Sequence, residues 1–162
     1  MNNTVFDENF EHTAPSNFKY QAIINGSPEQ VFAAVTSDEE KFWYPKYEKV
    51  VWLTEHEQGV GATKRLYLSY LNCLEQYSIW EEGKRARVWV SDFSIPLTRK
   101  MMVDYFLEAT EENKTQLRYH IYYQINPWHK FIHPLLHFFY QRDFQHVIDC
   151  LQHYFDNKQA VQ

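Results

Sequence analysis

Apolar and polar positions read as strands over 18–24 and again in segments from 49 to 125, and after residue 126 the period lengthens to that of a helix. Phe18, Tyr20, Ala22 and Ile24 share one parity, which predicts a first strand over 18–24. Asn25-Gly26 breaks it. Ser27 is then a good N-cap, Pro28 suits the first helical position, and Gln30 completes a Ser-x-x-Gln capping box. A short helix is expected there, with Val31, Phe32 and Val35 on one side. Ser37 and Glu40 offer a second capping box for a brief helix that Pro45 must end. Strand signals then cover 49–55, 63–69, 73–80, 85–93, 101–109 and 117–125, separated by turn residues such as Gly59-Val60-Gly61, Leu71-Asn72, Glu82-Gly83, Ile95-Pro96 and Glu112-Asn113-Lys114. Short strands in sequence with tight turns make an antiparallel meander. Asn126-Pro127 marks another helix start. Leu136, Tyr140, Phe144, Val147, Leu151 and Tyr154 form a stripe at spacings of three and four, so a long amphipathic helix is expected over 127–156, with a kink or restart at Pro134 and His133 as a poor cap. The class is α+β: an antiparallel sheet of about seven strands, two short helices after the first strand, and a long C-terminal helix.

Turn lengths convert the strands into a wall. A two-residue turn at Glu82-Gly83 sets Tyr77 opposite Val88, Glu75 opposite Val90 and Ile79 opposite Ala86; the other face then carries Trp80, Arg85, Arg87 and Trp89. The first set is far more apolar and is assigned inward. A three-residue turn at Tyr70-Leu71-Asn72 sets Tyr67 opposite Glu75 and Arg65 opposite Tyr77. The turn at Glu112-Asn113-Lys114 sets Tyr105 near Ile121, Leu107 near Tyr119 and Val103 near Tyr123. The inner wall therefore carries Arg65, Glu75 and several phenols. A buried lone charge is prohibitive, so Arg65 and Glu75 should pair or border water. Three readings follow: a wet or ligand-filled cavity, an internal salt bridge among ordinary core tyrosines, or a different turn length that turns the charges outward.

Composition sharpens this. The chain has 12 Phe, 12 Tyr and 5 Trp against 4 Gly, an interior that is apolar yet rich in hydroxyls needing partners. A net charge of −5 argues against nucleic-acid binding, which rests on neutralising phosphates. No stretch approaches the about 20 apolar residues of a bilayer span, and residues 1–15 do not read as a signal peptide. Those residues are polar and patternless and are expected to form a flexible arm before a single domain over 16–158 and a tail over 159–162. Cys73 and Cys150 are far apart and read as reduced residues of a cytoplasmic protein.

The order strand, two short helices, six strands, long helix resembles the helix-grip fold of the START-like (SRPBCC) superfamily, particularly its polyketide cyclase/dehydrase and lipid-transport group. The likeness covers roughly residues 17–156. It is carried by Asn25-Gly26-Ser27-Pro28-Glu29-Gln30-Val31-Phe32, which looks like the family's strand-to-helix entry, and by Phe42-Trp43-Tyr44-Pro45, which looks like its aromatic segment after the second helix. Gly59-Val60-Gly61 before the third strand, Arg65, Glu75 and the closing helix from His133-Pro134 to Tyr154 fit the same pattern. Lys114-Thr115 departs from a usual Gly-Thr, which weakens subgroup assignment. The resemblance implies a curved sheet wrapped around the helix and a cavity between them for lipids, quinones or polyketides. It implies no universal catalytic residue and no cofactor.

The leading expectation is therefore a carrier or sensor holding a small apolar ligand, as monomer or homodimer. Trp43, Arg65, Tyr67, Glu75, Tyr77, Val88, Val90, Tyr105, Tyr119, Tyr123 and Tyr140 are the candidate ligand-binding residues. An alternative is a cyclase or dehydratase in the same cavity, with Glu75 as base and Arg65 and a Tyr hydroxyl polarising a carbonyl. A third reading is an interaction module acting through Trp80, Arg85, Arg87 and Trp89. His129, His133 and His137 fall at i, i+4 and i+8, but Pro134 interrupts them and solvent-facing or capping roles are expected rather than a metal site. His120 is expected on the outer face.

Overall fold

The computed structural model describes residues 7–160. Strands β1 (Ser16–Ile24), β2 (Tyr47–Trp52), β3 (Thr63–Leu68), β4 (Leu71–Glu81), β5 (Arg85–Ser91), β6 (Thr98–Glu111) and β7 (Lys114–Ile125) form one sheet in the order β1-β7-β6-β5-β4-β3-β2. Every neighbouring pair is antiparallel. Helices α2 (Pro28–Thr36) and α3 (Glu40–Trp43) follow β1, and a 3-10 turn (Pro127–Ile132) leads into α4 (His133–Gln159). Ala160 caps that helix, and Val161 and Gln162 lie outside the described residues.

The sequence sets these elements locally. Ser27 and Gln30 form the capping box of α2 with Pro28 in its first turn. Ser37 does not cap α3; its hydroxyl bonds back to the Ala33 carbonyl, and α3 starts late, which turns Glu40 into the interior. Pro134 sits in the first turn of α4, where its missing N–H costs nothing, so it opens the helix instead of kinking it. The inner face of α4 buries Leu136, Ile148, Leu151 and Phe155 against the sheet. Full burial of such side chains is worth about 1.5–3 kcal/mol each, enough to hold the helix on the sheet. Phe155 lies so close to Gly26 that a Cβ there would sit 2.6 Å from its ring.

Three turns differ from the expected ones. The β4–β5 connection has three residues, with Lys84 donating to the Glu81 carbonyl and Gly83 at a φ of 69°, which glycine adopts freely. A bulge after Tyr77 absorbs the extra residue. Tyr77–Val88 and Glu75–Val90 pair as expected, but Ile79 faces Arg87 and Trp80 faces Ala86, so Trp80 turns inward onto Phe32 and Tyr77. The β3–β4 turn has two residues, Ser69-Tyr70, and this reverses the parity of β3. Lys64 and Leu66 face inward, while Arg65 and Tyr67 face out. The β6–β7 hairpin keeps its parity but slides by one pair, placing Tyr105 opposite Tyr119 and Val103 opposite Ile121.

The arm expected over residues 1–15 also differs where it is described. Phe10 in α1 (Phe10–Thr13) is buried against Trp89, Met102 and Tyr122, a small second core on the outer face of the sheet. Glu11 pairs there with Arg87. One apolar side chain in a polar stretch anchors the segment; residues 1–6 lie outside the described residues.

Candidate functional site

Between the inner face of the sheet and the middle of α4 lies a cavity of about 130 Å³. Val90, Met101, Val103, Phe144 and Val147 make its apolar walls, and Tyr105, Tyr119 and Tyr140 add phenol groups. It shares Tyr70, Leu71, Phe93, Tyr140 and Asp143 with an outer cleft of about 740 Å³ alongside α4. The interior is smaller than the roughly 300–1,000 Å³ of ordinary ligand pockets because rings fill it, and only together with the cleft does the site reach that range. Tyr105 and Tyr119 stack at 5.0 Å, and Phe144 packs edge-on against Tyr119 at 6.1 Å.

One end of the cavity is charged. The Lys64 ammonium lies 3.3 Å from Glu75 and 3.9 Å from Glu40, beneath the rings of Trp52 and Tyr77. Lys64 is 0% exposed. Both carboxylates line the cavity, whereas the ammonium sits behind them. Burial alone would lower the Lys64 pKa, but Glu40, Tyr77 and Glu75 outweigh it and hold the group well above its usual value. Glu40 is pushed up to about 7: burial raises it, Lys64 opposes, and Glu75 and Asp38 add repulsion. Burial also pushes up the Tyr105 and Tyr119 phenols and the Cys73 thiol, so these are neutral at physiological pH. Cys73 is thereby an apolar wall residue rather than a nucleophile.

The mouth is a second polar group. Tyr70 donates to Asp143 at 2.7 Å, Lys46 pairs with the other oxygen of that carboxylate, and Thr98 and Tyr140 share a hydrogen bond of 2.6 Å. Burial leads the rise in the Tyr44 and Tyr70 pKa values, and the Asp143 charge adds to it.

Of the residues singled out in the sequence, Trp43, Glu75, Val90, Tyr105, Tyr119 and Tyr140 meet at the cavity. Tyr77 and Val88 are buried in the core beside it. Tyr77 donates to the Thr36 carbonyl at 3.2 Å. Tyr123 lies near the start of α4, 2.8 Å from His137 Nδ1 and 3.4 Å from His133 Nε2, with Ser16 also 3.0 Å from His133. These histidines tie the helix to β1 and β7 instead of facing solvent. Among the described residues no cluster of three or more His, Cys, Asp or Glu could hold a metal ion. Arg65 and Tyr67 are corrected out of the inner wall: Arg65 pairs with Asp92 and Asn72, and Lys49 lies over the Tyr67 ring on the outer face. Lys64, Glu40, Tyr70 and Asp143 join the site without being among the residues that the turn lengths point to. The signal for Lys64 was present, because it shares parity with Leu66 and Leu68.

The outer-face patch is also corrected. Trp89 is covered by Phe10, Trp80 points inward, and Arg85 and Arg87 are tied to Asp104.

No protein-family profile and no curated protein matches the chain. Solved structures do. A START superfamily protein from Mycobacterium smegmatis superposes with a TM-score of 0.73 at 12% identity, over 87% of this chain and 97% of that one. Ara h 8.0201 gives 0.68 at 13% identity, over 88% and 98%. The di-domain ARO/CYC BexL from the BE-7585A biosynthetic pathway gives 0.71 at 11% identity, over 86% of this chain and 46% of that one. A sheet of this order closed by one long helix, matched over nearly the whole chain, is the helix-grip fold of START-like proteins.

Proposed function

We propose that the chain binds a small apolar molecule carrying a neutral, hydrogen-bond-donating head, as a carrier or sensor working as a monomer or homodimer. The observation that carries this reading is the make-up of the cavity: apolar and phenolic walls ending in two carboxylates, with the Lys64 ammonium withdrawn behind them. Such an end accepts hydrogen bonds from a hydroxyl or hydroquinone and repels a fatty-acid carboxylate. An apolar tail would run past Phe93 and Tyr140 into the cleft. The free thiols of Cys73 and Cys150 support a reducing, cytoplasmic setting. The test is thermal stabilisation and native mass spectrometry with a long-chain alcohol, a hydroquinone and the matched fatty acid. Alcohol or hydroquinone should bind and raise the Tm while the acid does not. Absence of binding by all three would overturn the reading.

A second reading is a cyclase or dehydratase using the same cavity. Glu40 favours it, because a carboxyl titrating near 7 on a cavity wall is poised to move protons at physiological pH. In that case Glu40→Gln or Glu75→Gln abolishes turnover while ligand binding stays within a few fold; loss of binding together with turnover would count against it.

A further inference from the structure

The first turns of α4 and the 3-10 turn before it carry an unusual outer face. Trp128 is 86% exposed and Phe131 81%, and Leu135, Phe138 and Phe139 are more than half exposed. Trp128 and Phe131 are three apart in a 3-10 turn, which puts them on one side. Leu135, Phe138 and Phe139 follow at helical spacing, and the last two rings lie 5.8 Å apart. The opposite side of the same helix is already used, since Leu136 and Tyr140 pack toward the sheet. Nothing in the described chain covers this row.

Charge says what does. The chain as a whole carries −5, yet no Asp or Glu occurs between Glu112 and Asp143, while Lys130 and Arg142 flank the aromatic row and are exposed. Asp92 in the β5–β6 loop and Asp143 on α4 are each ion-paired, with Arg65 and Lys46. The face is thus apolar with a basic rim. A two-fold self-association through it would bring Lys130 and Arg142 of two copies together, while Asp143 is already paired with Lys46 and exposed Asp149 lies two turns farther along α4, bonded by Gln145. An anionic bilayer surface supplies both complements: an apolar layer for the rings and phosphate or carboxylate charge for the rim. Trp is the side chain best suited to that boundary.

We propose that this face docks on the surface of an anionic lipid bilayer, with Trp128 and Phe131 entering the headgroup layer and the helix lying in the plane. Phe139 belongs both to the row and to the wall of the outer cleft, and Ile95, half exposed, borders the same cleft. Docking therefore sets the cleft against the membrane, and an apolar molecule passes between bilayer and cavity without crossing water.

The experiment uses the full chain without added ligand, so its outcome is independent of which molecule the cavity holds. Protein is sedimented with vesicles of phosphatidylcholine alone and of phosphatidylcholine mixed with phosphatidylserine. The mixed vesicles should carry down most of the protein and the neutral ones much less. A Trp128→Ser/Phe131→Ser double variant should bind the mixed vesicles roughly tenfold more weakly. Its Tm should match the wild type, because both side chains are solvent-exposed. Protein left in the supernatant with both vesicles, or a double variant that binds as well as the wild type, overturns the proposal. So does a wild-type dimer that the double variant turns into a monomer, since the row would then be a contact between copies.

Discussion

The sheet buries a group of charges on each face, and the two are built differently. On the outer face Asp104 is fully buried and receives Arg85 through two bonds of 3.0 and 2.8 Å, with Arg87 donating at 2.8 Å and reaching on to Glu11 at 2.7 Å. Two cations meet two anions, in fork geometry that satisfies the donors. On the inner face one ammonium faces two carboxylates at 3.3 and 3.9 Å, and the Lys64 nitrogen has no hydrogen bond of good geometry. The outer group is neutral and closed. The inner group retains one excess negative charge at the end of a cavity. A closed group fastens the sheet to the N-terminal segment, whereas the open one leaves acceptor capacity facing the cavity and a carboxyl that titrates near neutrality. Their difference in saturation separates charge satisfied within the fold from charge that keeps acceptor capacity toward the cavity.

Substitutions can break this contrast. Lys64→Met should have the largest effect, a loss of about 4 kcal/mol near pH 8, because two carboxylates remain buried without a cation. Urea unfolding near pH 5 should show a much smaller loss, since protonation of Glu40 relieves the repulsion; equal losses would mean that Lys64 acts through packing alone. Asp104→Asn should cost about 3 kcal/mol, and equally at both pH values, as the arginines left behind do not titrate there. Glu40→Gln should do the reverse. The folded pKa of Glu40 lies above its ordinary 4.5, so wild-type stability falls as pH rises through the interval from there to about 7. The variant should flatten that slope and gain about 2 kcal/mol near pH 8, measured by the same unfolding series. Smallest is Phe10→Ala, about 1 kcal/mol, because the segment can peel away instead of leaving a cavity. Hydrogen exchange should rise in residues 7–15 and stay unchanged at the cavity.

The sheet and helix were legible because their periodicities are strong and extend over many residues. Side-chain direction was legible only where turn length was. At Glu82-Gly83 a bulge after Tyr77 offsets the third turn residue, Lys84, and Glu75, Val90 and Tyr77 keep the expected face. At Ser69-Tyr70 nothing compensated, so Arg65 and Lys64 exchanged places. The alternation of Lys64, Leu66 and Leu68 competed there with the aromatic Tyr67, and burial of two leucines outweighed burial of one phenol. The spacing of Glu40 from Ser37 fits a local capping rule, whereas its contact with Lys64 spans β3 and α3 and is encoded by no local pattern. Phe10 was hidden for the opposite reason: a single apolar residue has no period at all.

The attachment of α4 also has a mechanical side. Near its start His137 holds Tyr123 and Tyr20 donates to the Gln141 carbonyl at 2.8 Å; near its end Asn25 reaches Asp156 at 2.7 Å and Phe155 presses on Gly26. The helix is a beam clamped at both supports, with the cavity under its mid-span. A beam so held resists swinging and yields instead by local bowing or by release of whatever braces its middle. That brace is Tyr70 on Asp143, borne on the two-residue turn between β3 and β4, so a shift of this turn would release the middle of the beam.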